Sequence, residues 1–159
     1  MEYLWTPWRY NYIVKTNEPA ECFFCAAKSA DDRESLVVHR GEHNLVILNR
    51  FPYTSGHLMI APFQHVASLG ALPDETLTEM IRLARAAEGH LRTIYNPDGL
   101  NMGLNIGRAA GAGVPTHIHM HILPRWVGDT SFMSVVAETR ILPEDLNNTW
   151  DRLRSVFAR

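Results

Sequence analysis

Six residues, His117-Ile118-His119-Met120-His121-Ile122, alternate polar and apolar without a break. A period of two belongs to an extended strand, because successive side chains leave a pleated backbone on opposite faces. The pattern predicts that Ile118, Met120 and Ile122 meet a core while His117, His119 and His121 share the other face. At about 3.3 Å of rise per residue, neighbouring imidazoles on that face repeat about every 6.5 Å. Three of the chain's eight histidines therefore fall on one side of one strand.

The segments around this strand read as a mixed architecture. Leu36 to Arg40, Asn44 to Arg50 and His57 to Ala61 are short and rich in Val, Ile and Leu, with Gly41, Pro52 and Gly56 at the turns. Such spacing predicts an antiparallel meander. From Pro73 the apolar residues Leu77, Met80, Ile81, Ala84, Ala87, Leu91 and Ile94 recur at helical spacing until Asn96-Pro97-Asp98-Gly99 ends the run at Tyr95. Leu100 to Ile106 returns to alternation and predicts a further strand, as do Phe132 to Val136. Pro143 to Phe157 predicts a closing helix with Leu146, Trp150, Leu153 and Phe157 on its buried face. The class is α+β, a mainly antiparallel sheet with one long helix and a C-terminal helix.

With 159 residues, 46% of them hydrophobic, and no repeat or shift of composition, residues 1–159 are expected to form one domain. Fifteen basic against 17 acidic side chains give a net charge of −2, so no global field draws nucleic acid or an anionic membrane. Any anion must be held by local groups. The opening MEYLWTPWRY has no basic stretch leading into an apolar one, and no run approaches the roughly 18 apolar residues of a membrane span. A cytoplasmic protein is expected. In that reducing setting the only two cysteines, Cys22 and Cys25, read as a metal knuckle or redox pair rather than a structural disulfide.

Just before the histidines lies Gly107-Arg108-Ala109-Ala110-Gly111-Ala112-Gly113, a loop that lets main-chain N–H groups approach an anion closely. Histidines beside such a loop support two chemistries. A neutral imidazole can attack phosphorus and carry the transferred group covalently. Alternatively, the imidazoles can hold a zinc ion with an open position that activates water. Spacing alone leaves both open.

His117-Ile118-His119-Met120-His121-Ile122-Leu123 resembles the signature of the histidine triad superfamily of nucleotide hydrolases and transferases. Leu48-Asn49-Arg50, Pro52, Gly56-His57, Ile60-Ala61-Pro62 and His65 resemble that family's first nucleotide-binding hairpin. Trp5, Trp8, Pro124-Arg125-Trp126 and Gly128-Asp129 are similar to the bacterial branch that includes diadenosine tetraphosphate phosphorylase. The resemblance implies a nucleotide or dinucleoside polyphosphate substrate, with His119 as nucleophile, His121 on the phosphate oxygens and His57 as the buried histidine that orients His121. It places Asn49 at the ribose and Asn105 near the phosphates, with Arg108 and Arg125 as candidate phosphate partners. Many relatives carry Gln, Ser or Thr where this chain has Gly113, at which backbone N–H can still serve. Nucleoside phosphoramidate hydrolysis, or nucleotide binding without turnover, are the alternatives.

Cys22 and Cys25 supply half of a structural zinc site by their spacing. The resemblance implies the other half, His65 and His117, which would make the first triad histidine a ligand rather than an acid. It also implies a homodimer paired through the long helix and a neighbouring strand.

Overall fold

The computed structural model of the chain describes residues 22–130 and 142–158; Trp5, Trp8 and the strand expected at Phe132 to Val136 lie outside them. The elements are α1 (Phe23–Ala26), α2 (Asp32–Ser35), β1 (Val37–Arg40), β2 (Asn44–Leu48), β3 (Leu58–Pro62), α3 (Asp74–Tyr95), β4 (Gly99–Leu104), β5 (Met120–Arg125) and α4 (Leu146–Phe157). All pairings are antiparallel, in the order β1-β2-β3-β5-β4. The architecture is the expected α+β one. Among the described residues no helix is long and apolar enough to cross a membrane.

Every residue of β2 and β3 is buried, so this part of the sheet is covered on both faces. Leu45, Leu58, Ile60 and Ile122 are inaccessible to solvent, and burying each contributes about 1.5–3 kcal/mol. Helix α3 packs across β2, β3 and β5 through a stripe that includes Met80, Ala84, Ala87 and Leu91, and α4 lies against α3 and β1. Ile81, counted on that stripe from the sequence, instead points outward and is 60% exposed. It stands one residue, about 100° of helix, from Met80, and Leu83 takes the buried place. In α4, Leu153 is fully buried and the Trp150 indole N–H donates to the carbonyl of Val37 (2.9 Å).

Several boundaries differ from the sequence reading. Leu36 is not the start of β1: it closes α2 in the left-handed region (φ 64°), its N–H returning to the carbonyls of Arg33 and Asp32. Helix α4 starts at Leu146, where the Asp145 side chain accepts from the N–H groups of Asn147 and Asn148, and not at Pro143. Asn49 and Arg50 leave β2, and Asn105 and Ile106 leave β4.

Gly56 fixes the β2–β3 hairpin to α3. Its φ of +78° suits only glycine, and a Cβ there would stand 2.8 Å from Cε2 of Tyr95 and 3.1 Å from Cδ2 of Leu91. The hairpin thus closes directly on the helix, one residue before His57.

Candidate active site

Of the three alternating histidines, only His121 lies on β5, opposite Met59 of β3 and Gly103 of β4. The ladder between β3 and β5 opens at Ile60 and Met120, and upstream the chain takes another course, the Ile118 N–H donating to the carbonyl of Val66 (2.7 Å). His117 and His119 therefore precede the β5 ladder. His117 is wholly buried, His119 is 4% exposed and His121 is half-buried. The rings of His119 and His121 meet edge to face at 4.8 Å, closer than the roughly 6.5 Å of a regular strand.

The hydrogen bonds assign a proton to each ring of the site. The N–H of Tyr53 donates to Nδ1 of His57 (3.1 Å), so that nitrogen accepts. In a neutral ring Nε2 then carries the hydrogen, and it faces Nδ1 of His121 at 2.9 Å. His121 Nδ1 accepts, which leaves its Nε2 as a donor. His119 runs the opposite way: its Nδ1 is 2.8 Å from the carbonyl oxygen of His117, so Nδ1 bears the hydrogen and Nε2 keeps the lone pair. One ring thus offers a nucleophilic nitrogen and its neighbour an N–H.

Both rings stay neutral near pH 7. Burial pushes His119 below the ordinary imidazole value, against the raising effect of its bond to the His117 carbonyl. Burial, with His119 nearby, pushes His121 down to about 4. Desolvation disfavours the imidazolium, and a protonated ring could not attack.

His117 has a separate role. Its Nε2–H donates to the carbonyl of Pro62 (2.9 Å), turning Nδ1 toward the thiols of Cys22 (3.3 Å) and Cys25 (3.7 Å). His65 Nδ1 stands 3.1 Å from the Cys25 sulfur. The four ligand atoms lie within 4.8 Å of one another, the arrangement in which they could hold a metal ion. Tetrahedral zinc, with its usual bond lengths, separates S and N ligands by about 3.6 Å, close to these distances. The Pro62 carbonyl fixes the ligand tautomer of His117, as outer partners of metal-bound histidines do. The donor set fits zinc.

Asn49 sits beside His57, its Nδ2 3.4 Å from Nδ1 of that ring. Asn105 is half-buried just past β4, and Gly113 half-buried in the loop before His117. Arg108 opens an exposed 3₁₀ turn, Arg108–Ala110, between left-handed Gly107 and Gly111. Arg125 is held by Asp129 (2.5 and 2.7 Å) and by Asn101 (2.7 Å), in the turn at the far end of β5. That pairing ties the turn after β5 back to β4.

Two contributors escaped the sequence reading. Phe24, fully buried between the cysteines, packs its ring 4.8 Å from His119 and 5.0 Å from His117. Tyr53 supplies the N–H that orders His57 and lays its ring parallel to His121 at 6.1 Å. The first could be suspected from an apolar residue inside Cys-x-x-Cys; a backbone donor has no sequence signal.

Fold and histidine arrangement together define a histidine triad protein. Residues 31–127 match the HIT domain, and the chain belongs to that family. It is 33% identical to a Mycobacterium tuberculosis protein named AP-4-A phosphorylase, over all of this chain and 86% of that one. Among solved structures it is similar to a Zn-bound histidine triad family protein from Mycobacterium smegmatis (31% identity, TM-score 0.68, 87% of this chain and 94% of that one). A protein from Sulfolobus tokodaii described as a hypothetical histidine triad nucleotide-binding protein is also similar (27% identity, TM-score 0.68, 86% and 92%).

Proposed function

We propose that the protein cleaves dinucleoside polyphosphates, diadenosine tetraphosphate among them, by transferring a nucleotidyl group through His119. The observation that carries this reading is the opposed polarity of two adjacent rings: Nδ1–H of His119 on the His117 carbonyl, and Nδ1 of His121 facing Nε2–H of His57. The likeness to AP-4-A phosphorylase supports the substrate class.

In the reaction, Nε2 of His119 attacks the α-phosphorus. A P–N bond forms as the bond to the bridging oxygen breaks, and ATP leaves with that bond's electron pair. His121 donates its Nε2–H to the phosphate oxygens, whose charge grows as the leaving group departs. Asn49 contacts the ribose, and Asn105 and the backbone about Gly113 lie by the phosphates. Gly113 brings no side chain there, which leaves room for inorganic phosphate to enter. Phosphate oxygen then attacks the adenylyl phosphorus, the P–N bond breaks, and ADP and neutral His119 result.

Cys22, Cys25, His65 and His117 would hold zinc. Such a closed set leaves no place for water, so the ion's contribution is to fix the segment that carries His119. The protein works as a homodimer through α3 and β4. Incubation with diadenosine tetraphosphate, with and without phosphate, tests the reading. ADP rising with phosphate, together with a mass increase of one adenylyl group on His119, is expected. AMP in place of ADP beside the released ATP would make water the acceptor, and an unmodified His119 during turnover would overturn the covalent route.

A further inference from the structure

The rings that face the substrate depend on which nitrogen of His57 is bare, and Asn49 stands at that nitrogen. The amide of Asn49 is not free to turn. Its Oδ1 accepts from the N–H of Phe51 (2.9 Å), closing a short turn, so the atom pointing at His57 is Nδ2. An amide nitrogen donates and cannot accept. Two donors, Asn49 Nδ2 at 3.4 Å and Tyr53 N–H at 3.1 Å, therefore converge on Nδ1 of a histidine with no solvent exposure. Neither can donate to Nδ1 if that nitrogen bears a proton. From that bare nitrogen the sequence of roles runs outward: His57 Nε2–H to His121 Nδ1, then His121 Nε2–H toward the phosphate.

We propose that Asn49 is a positioning residue that keeps Nδ1 of His57 unprotonated and so sets the donor face of His121, beyond any contact it makes with ribose. The proposal rests on the nucleotidyl-transfer reading only for its kinetic consequence. The tautomers themselves exist in the protein without substrate.

The separating variant is Asn49→Asp. A carboxylate accepts from ribose hydroxyls at least as well as an amide oxygen, so a residue that only binds ribose would keep its function. Toward His57, however, it replaces a donor by an acceptor and draws a proton onto Nδ1. Long-range ¹H–¹⁵N spectra of the full, zinc-loaded chain at neutral pH read this directly. In the parent protein Nδ1 of both His57 and His121 is expected to give the signal of an unprotonated nitrogen. In Asn49→Asp the Nδ1 of His57 takes the signal of a protonated one. Turnover of diadenosine tetraphosphate should fall at least about tenfold in kcat while KM stays within about threefold, since the loss is in the reacting state. Asn49→Ser, which removes the donor without adding charge and leaves Tyr53 N–H in place, should lie between the two. A protonated Nδ1 in the parent protein, or unchanged tautomers in Asn49→Asp, overturns the proposal. A change in KM alone would reduce Asn49 to a ribose contact. If diadenosine tetraphosphate is not cleaved at all, the reaction assignment fails while the spectra still decide the role of Asn49.

Discussion

Nδ1 of His119 lies 2.8 Å from the carbonyl oxygen of His117, so the residue that turns its ring toward the two thiols also holds the proton of its neighbour. The histidine facing the cysteines and the candidate nucleophile thus share one short piece of backbone, with the Phe24 ring packed against both imidazoles.

Replacement of His119 by Asn is expected to lower turnover of diadenosine tetraphosphate by at least about 10³-fold, as loss of a covalent nucleophile does. The ring is buried but small, and Asn can keep the bond to the His117 carbonyl, so the fold should survive. Circular dichroism and steady-state rates on the same preparation check both halves. A variant that keeps a tenth of the activity would show that His119 is not the attacking group.

Metal analysis of the untagged protein should give about one zinc per chain. Removing it leaves two thiols and two imidazoles crowded together without the charge that gathered them. Chelation, or Cys25→Ser, is expected to lower the melting temperature by more than about 5 °C, a chain of this size shifting roughly 2–4 °C per kcal/mol. Turnover should fall alongside. If chelation abolished catalysis and left melting unchanged, the ion would belong to the chemistry and not to the scaffold.

How far the sequence foretold this site depends on what kind of signal each residue carries. Alternation located β5 and its buried Met120 and Ile122, because side-chain direction in a strand follows from covalent geometry. It could not show that the ladder ends at Met120, since β3 runs on to Pro62 beside β2 while the Ile118 N–H turns to the carbonyl of Val66. The cysteine spacing announced half of a metal site; His65 and His117 came only from resemblance, as their approach is made by the tertiary fold. Leu36 was read as strand because its apolar character fits one, whereas its left-handed backbone belongs to the end of a four-residue helix too short for periodicity. Tyr53 acts through its main chain, which no residue type encodes.

His121 makes stability depend on acidity in a defined window. Its ordinary value is near 6.5, and burial pushes it down to about 4 in the fold. Between those values the unfolded chain binds the proton and the native ring does not, so stability falls as pH drops from about 6.5 toward 4 and is restored as pH rises. His119, also pushed down by burial, acts in the same direction. Melting temperatures of the parent and His121→Asn proteins across pH 4 to 7 separate the contributions. The variant should show a shallower decline; identical curves would mean that His121 titrates normally.

The last expectation concerns assembly. Among the described residues β4 pairs only with β5, and its other edge carries Asn101, Met102 and Gly103 exposed, with Met102 at 43%. An uncovered edge presents unpaired N–H and C=O groups and tends to be covered by another chain. Helix α3 adds Ile81, 60% exposed and off the stripe that packs on the sheet. A twofold contact through these two elements would cover both features with the same surface of each copy. Light scattering at micromolar concentration should therefore give about twice the 18.0 kDa chain mass. Met102→Lys places a charge on the strand that the contact would bury and is expected to shift the protein to monomer. A monomer mass for the parent protein, or a dimer that tolerates charges at both Met102 and Ile81, would refute pairing through this face.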